Sequence, residues 1–189
     1  DTKGDIMAAM VTGELTRADL DAMPEDGRRY ELIDGCIVVT PAPGLGHQRL
    51  VRALTRALDD ALDGTYLEVI PAPYDVLLGR NVVEPDLVVA PSEAFRERDL
   101  ATPPVLVVEV RSASTGWIDT GRKREIYESA GVASYWLVDP TGPSITVLEL
   151  VDGNYREFGS ATGEEVIDVA RPVPMRLAPA QLLPGARSG

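Results

Sequence analysis

The sequence predicts an α/β protein of the α+β type: a mixed β-sheet with helices packed on it and extra β-hairpins. Three observations lead there. Short apolar runs closed by Gly, Pro, Asn or Asp recur from residue 29 to residue 158. Three segments, near 16–23, 47–62 and 119–130, carry helical spacing or helix-boundary signals instead. The order is helix, hairpin, helix, several strands, helix, more strands, which is not the regular βαβ alternation of an all-parallel sheet.

Each element has its own signal. Thr16 is placed to cap the first helix, with Asp19 three residues on and Pro24 as the stop. Residues 29–33 and 36–39 flank Asp34-Gly35, a pair suited to a two-residue hairpin turn. A Pro/Gly loop over 41–46 leads to His47, where the second helix begins. Leu50, Val51, Leu54, Leu58 and Leu62 form its apolar stripe, while Arg49, Arg52 and Arg56 recur on another face. Those arginines have the spacing to follow a phosphate backbone, although a solvated helix face accounts for them more simply. Strands are expected at 66–70, 74–78, 82–89 and 105–109, with a polar stretch over 92–99. The third helix runs from about Asp119 to Ala130, with Gly131 just past its end. Residues 134–138 form a strand closed by Asp139-Pro140-Thr141-Gly142, and 144–150 pairs with 155–158 across Asp152-Gly153-Asn154. From Arg171 the chain is proline-rich and expected to wrap the surface.

At 189 residues the chain is expected to be one domain, with a core over about 15–150 and a C-terminal extension over about 151–189. No apolar run approaches the roughly 20 residues that span a bilayer, and Asp1–Met7 holds no signal-peptide h-region. Cys36 is the single cysteine, which excludes an intrachain disulfide and a cysteine zinc cluster. A reducing, cytoplasmic setting fits. With one His as well, any metal site must be built mainly from carboxylates, favouring Mg2+ or Mn2+ over zinc. The net charge of −12 weighs against tight binding to a polyanion. Residues 1–35 and 149–168 carry −5 each, however, so everything else carries only −2.

Two acids stand in apolar runs. Asp86 lies in Val82-Val83-Glu84-Pro85-Asp86-Leu87-Val88-Val89, and Glu109 ends Val105-Leu106-Val107-Val108-Glu109. Burying a carboxylate there is costly unless a metal, a cation or hydrogen bonds compensate it. On neighbouring strands the two would form an oxygen-lined seat for a divalent metal. Pro85 limits pairing and marks an edge or bulge at Asp86. On the third helix Asp119, Lys123, Tyr127 and Ala130 share one side, so Lys123 can face the sheet and act on water or phosphate. Against this, each acid alone could pair with an arginine, and a lysine flanked by Arg122 and Arg124 is often a solvated basic patch. Arg111 follows Glu109 on the same strand face and, always protonated, can only bind phosphate or carboxylate. Arg111, Arg122 and Arg124 are candidate substrate binders. Glu31 is a candidate third acid, otherwise an edge-strand glutamate. His47 is a candidate contact to substrate or metal, otherwise a cap or packing residue.

Taken in order, Tyr30-Glu31-Leu32-Ile33-Asp34-Gly35, Pro41-Ala42-Pro43 with His47, Pro85-Asp86-Leu87-Val88-Val89, Glu109-Val110-Arg111-Ser112, Lys123 with Tyr127, and Gly131-Val132 leading to Tyr135-Trp136-Leu137-Val138-Asp139 resemble the Uma-type restriction endonuclease family of the PD-(D/E)XK nuclease superfamily. The resemblance covers roughly residues 15–150. It implies a restriction-endonuclease-like core with the acids on adjacent central strands, Asp86 and Glu109 as Mg2+ ligands, and Lys123 as the catalytic lysine. The superfamily pattern places that lysine two residues after the second acid, where this chain has Arg111; the family pattern moves it to the following helix. Glu31 and His47 match family positions as further catalytic candidates.

The expectation is therefore a Mg2+- or Mn2+-dependent endonuclease that hydrolyses DNA phosphodiesters, dimeric by analogy with restriction-type nucleases. Two alternatives stand beside it: a non-catalytic interaction protein that kept the fold, and a hydrolase of small phosphates.

Overall fold

Consecutive positive φ angles at Asp34 (51°) and Gly35 (76°) fold one strand back on the next, as the Asp-Gly pair predicts. The computed structural model describes residues 9–111 and 119–183 of the chain. Within them the strands, in chain order, are Ala9–Val11 (β1), Arg29–Ile33 (β2), Cys36–Thr40 (β3), Leu67–Pro71 (β4), Asp75–Leu78 (β5), Asn81–Val83 (β6), Leu87–Pro91 (β7), Asp99–Leu100 (β8), Leu106–Val110 (β9), Ser134–Asp139 (β10), Ser144–Val151 (β11), Asn154–Thr162 (β12), Ile167–Val169 (β13) and Met175–Leu177 (β14). The helices are Arg17–Asp21 (α1), Leu45–Leu62 (α2) and Arg124–Ala130 (α3), the last preceded by a π-helical turn over Asp119–Lys123.

The expected α+β architecture of mixed sheet, helices and added hairpins is present, and its strands divide mainly between two six-stranded sheets. Sheet I has the order β1-β3-β2-β6-β5-β8 and sheet II the order β12-β11-β10-β9-β7-β4; β13 and β14 pair separately. Pairing is antiparallel except at β5–β8 and β9–β10. The split occurs inside the run 82–89 that reads as one strand. Pro85 lacks the N–H a ladder needs, so β6 ends at Val83 in sheet I and β7 begins at Leu87 in sheet II. Asp86 therefore lies at the corner between sheets, not within a strand. Glu31 is likewise not on an edge strand, since β2 runs between β3 and β6.

Two cores sandwich sheet II. Leu50, Val51, Leu54, Leu58 and Leu62, the predicted stripe of α2, pack on one face against Leu87, Val89, Leu106, Val108 and Trp136. The other face, with Val88, Ala90, Val107 and Tyr135, packs against Ile33, Val76 and Val83 of sheet I and against Ile126 and Tyr127 of α3. Leu20 of α1 covers the outer face of sheet I over Leu32, Ile37 and Val82. Asp19 accepts hydrogen bonds from the Thr16 backbone N–H (2.8 Å) and hydroxyl (2.7 Å), so the imperfect capping box forms. The segment from Arg171 does more than wrap the surface: Leu177 and Leu182 enter the α2 core, beside Ile167 and Val169 from just before it. No helix among the described residues is long and apolar enough to cross a membrane.

Candidate active site

Strand alternation puts Arg29 and Glu31 on the same face of β2 as Ile33, which lines the core between the sheets. Glu84-Pro85-Asp86 carries two more acids into that space. Glu109 shares the inward face of β9 with Val107. Leu87 pairs with Val108 across β7 and β9, so Asp86 falls one step on, beside Glu109. The two acids are thus neighbours as expected, but Asp86 stands just before β7 rather than in a strand.

Lys123 and Tyr127, one helical turn apart, point at the same spot from the helix side, and both are fully buried. The π turn widens the backbone just before α3 and ends on Lys123. Asp119, expected on this helix face, has its side chain outside the described residues. Lys123 Nζ lies 2.7 Å from Glu109 Oε1 and 2.8 Å from Glu31 Oε1. The Tyr127 hydroxyl donates to the same Glu109 oxygen at 2.7 Å, and the Glu84 N–H donates to Glu31 Oε1 at 2.8 Å. A second cluster adjoins the first. Arg29 reaches Asp86 Oδ1 through Nη2 (2.8 Å) and Glu84 Oε1 through Nε (2.9 Å). Asp86 Oδ2 accepts the Val110 N–H at 2.7 Å and lies 3.0 Å from His47 Nε2. The tautomer that serves Asp86 carries its proton on Nε2, which leaves a buried Nδ1 with no hydrogen-bond partner among the described residues.

Asp86 and Glu109 are 2% and 1% exposed, so the energetics turn on compensation. Burial pushes the Asp86 carboxyl up, but the His47 hydrogen bond, the Arg29 guanidinium and the Val110 N–H outweigh it and hold it well below the usual carboxylate range. Burial, followed by the neighbouring Glu109 charge, raises the Tyr127 phenol well above its ordinary value, so it stays a hydrogen-bond donor. Glu84 is raised chiefly by burial, against the pull of Arg29.

The candidate residues Asp86, Glu109, Lys123, Glu31 and His47 thus come together. The three arginines do not join them. Arg111 is exposed and 3.4 Å from Asp139; Arg124 donates to the Tyr155 carbonyl. Arg122 holds Asp34 and Glu125, tying the β2–β3 turn to the start of α3. Sequence reasoning missed Arg29 and Glu84. The available signal was their spacing: each stands two residues before a candidate acid, on the same face when the backbone is extended.

Asp86 and Glu109 offer hard oxygen donors of the kind Mg2+ or Mn2+ prefers. The surroundings fit such an ion by charge, because among the described residues Glu31, Glu84, Asp86 and Glu109 pair with two fixed cations, Arg29 and Lys123. Among the described residues no three His, Cys, Asp or Glu side chains converge as a ready-made metal site. The fit is therefore to a two-carboxylate seat completed by water and substrate, as Mg2+ commonly accepts.

Two mixed sheets with few helices, with Asp86 and Glu109 meeting Lys123 between sheet and helix, make up a nuclease-like α+β fold. A crystal structure described as a putative nuclease belonging to DUF820 from Anabaena variabilis ATCC 29413 has the same fold: TM-score 0.71 at 17% identity, over 89% of this chain and 97% of that one. The chain belongs to the family described as "Uma2: Putative restriction endonuclease", whose model matches residues 17–181. No curated protein sequence matches it.

Proposed function

We propose that this protein is a Mg2+- or Mn2+-dependent endonuclease that hydrolyses DNA phosphodiester bonds. The observation that carries the reading is the buried Asp86–Glu109 pair on neighbouring chain segments, with Lys123 Nζ 2.7 Å from Glu109. In this reading Asp86 and Glu109 hold the ion. When bound, Mg2+ or Mn2+ supplies Lewis-acid polarisation of the scissile phosphate and lowers the pKa of water.

The chain's own residues supply the rest. Lys123, an ammonium held between two carboxylates, is a donor without acceptor capacity, so its part is to orient water or to stabilise charge building on the phosphate. Glu31 holds the lysine and Tyr127 holds Glu109. His47 and the Val110 N–H hold one Asp86 oxygen, which orients the other. Phosphate contacts away from the site fall to Arg49, Arg52 and Arg56, all exposed on α2, the helix that also provides His47.

Cleavage of supercoiled plasmid by the purified protein with Mg2+, Mn2+ or EDTA tests this, beside Asp86→Asn and Lys123→Ala. Metal-dependent nicking by the wild type that is lost in both variants is expected; a fully active Asp86→Asn enzyme would sink the assignment. One observation favours a non-catalytic binding protein as the second reading: Arg29 and Lys123 already pair with all four carboxylates. Absence of Mg2+ or Mn2+ binding in calorimetry, with and without DNA, would support that reading.

A further inference from the structure

Among the described residues Arg29 is the one fixed cation that touches Asp86, and it is only 15% exposed. It does not act alone. Its Nε binds Glu84, 16% exposed, while its Nη2 binds Asp86 Oδ1. The guanidinium is therefore a planar clamp across two acids two residues apart on one corner of the chain. Lys123 does the same for Glu31 and Glu109. Among the described residues the site thus holds two ion triads, each one cation to two carboxylates, and each so counted carries one net negative charge. A divalent cation would balance the two together. Glu84 is directed at Arg29 through Oε1, and its backbone N–H binds Glu31, so it connects the two triads.

We propose that Arg29 and Glu84 form a positioning pair that sets the cation affinity of the Asp86–Glu109 seat without either residue ligating the cation. Arg29 fixes the Asp86 carboxylate and supplies positive charge that opposes a second cation; Glu84 offsets part of that charge and holds the guanidinium in place. The proposal rests on the metal-dependent reading above and adds what regulates its metal seat.

The opposed charges make opposite predictions. Removing Arg29 leaves more negative charge around the seat, so a cation should bind more tightly, whereas loss of a merely structural residue would loosen it. Removing the Glu84 charge should weaken binding. At the short distances of a buried cluster, one unit charge acting on a divalent ion corresponds to about tenfold or more in affinity.

The experiment is calorimetric titration of Mn2+ into the metal-free wild type, Arg29→Gln, Arg29→Lys, Glu84→Gln and the double variant Arg29→Gln/Glu84→Gln. Thermal melts accompany it as a check of folding, and plasmid nicking is measured in parallel. Expected are about tenfold tighter Mn2+ binding in Arg29→Gln, about tenfold weaker binding in Glu84→Gln, and near wild-type binding in Arg29→Lys and in the double variant. Recovery in the double variant separates a charge effect from loss of a ligand, since deleting a cation cannot restore a missing ligand. Nicking should fall in Arg29→Gln despite the tighter binding, because Asp86 loses its clamp.

A folded Arg29→Gln protein with unchanged or weaker Mn2+ affinity overturns the proposal while leaving the nuclease reading intact. If Arg29→Gln does not fold, Glu84→Gln with the double variant decides: unchanged affinity in the first, or no recovery in the second, overturns it. Absence of Mn2+ binding in all five proteins overturns both this proposal and the metal-dependent reading.

Discussion

Lys123 is 1% exposed and touches two carboxylates, so its replacement tests how much the site depends on internal charge balance. Lys123→Met keeps the side-chain bulk but leaves Glu31 and Glu109 buried without their cation. Breaking a buried ion pair from one side costs about 3–5 kcal/mol. Tyr127→Phe removes one hydrogen bond to a charged oxygen and should cost about 1–3 kcal/mol. Urea denaturation of both variants checks the order, and equal losses would contradict it. Asp86 makes a prediction in pH. Its carboxyl is depressed in the folded protein, so below its ordinary value of 3.8 the unfolded chain takes up the proton first. The stability Asp86 contributes is complete above that value and is lost as pH falls through the lower folded value. Thermal melts from pH 6 down to about 2 should therefore decline less steeply in Asp86→Asn than in the wild type.

At the scale of elements, the site depends on two breaks in regular structure. Pro85 ends one strand and starts another in a different sheet, which brings Glu84 and Asp86 to the corner between them. The π turn over Asp119–Lys123 leads into α3, and the four-residue spacing of Lys123 and Tyr127 lets both reach Glu109. The β2–β3 turn ties these parts together through Asp34 and Arg122. Gly35 in that turn has φ +76°, and a Cβ there would lie 3.2 Å from the Gly13 carbonyl and 2.6 Å from the movable Arg80 guanidinium. Gly153, in the β11–β12 turn, has nearly the same φ of +77° but open space around it. Both Gly→Ala substitutions bear the cost of a positive φ, about 1 kcal/mol. Gly35→Ala should lose more, because the Gly13 carbonyl must also give way. Melting temperatures of the two variants settle the comparison.

For the molecule as a whole, charge decides how a polyanion could approach. The net charge of −12 is concentrated toward the two ends of the chain, while the exposed face of α2 carries Arg49, Arg52 and Arg56. If these three contact phosphates, replacing all of them by Gln should flatten the dependence of log affinity on log salt by about two to three units. Fluorescence anisotropy of a duplex with the Asp86→Asn protein, from 25 to about 200 mM salt, measures this without cleavage; an unchanged slope places the phosphate contacts elsewhere.

Much of this protein is legible in its residues because the signals are local. The Leu50–Leu62 stripe became the buried face of α2, Asp34-Gly35 became the β2–β3 turn, and Asp152-Gly153 became the β11–β12 turn. Asp86 and Glu109 could be named because acids inside apolar runs must find partners, and Glu31, His47 and Lys123 because their element positions match the family's ordered motifs. What local signals could not carry was which partners. Arg29 reaches Asp86 across 57 positions of sequence, and Arg122 reaches Asp34 across 88. The division of the strands into two sheets likewise turns on pairing between distant segments, and β1, β13 and β14 are too short to announce themselves. Side-chain chemistry determined which groups needed compensation, and only tertiary packing decided which cation each carboxylate met, since that choice depends on distances the chain acquires when the two sheets close on each other.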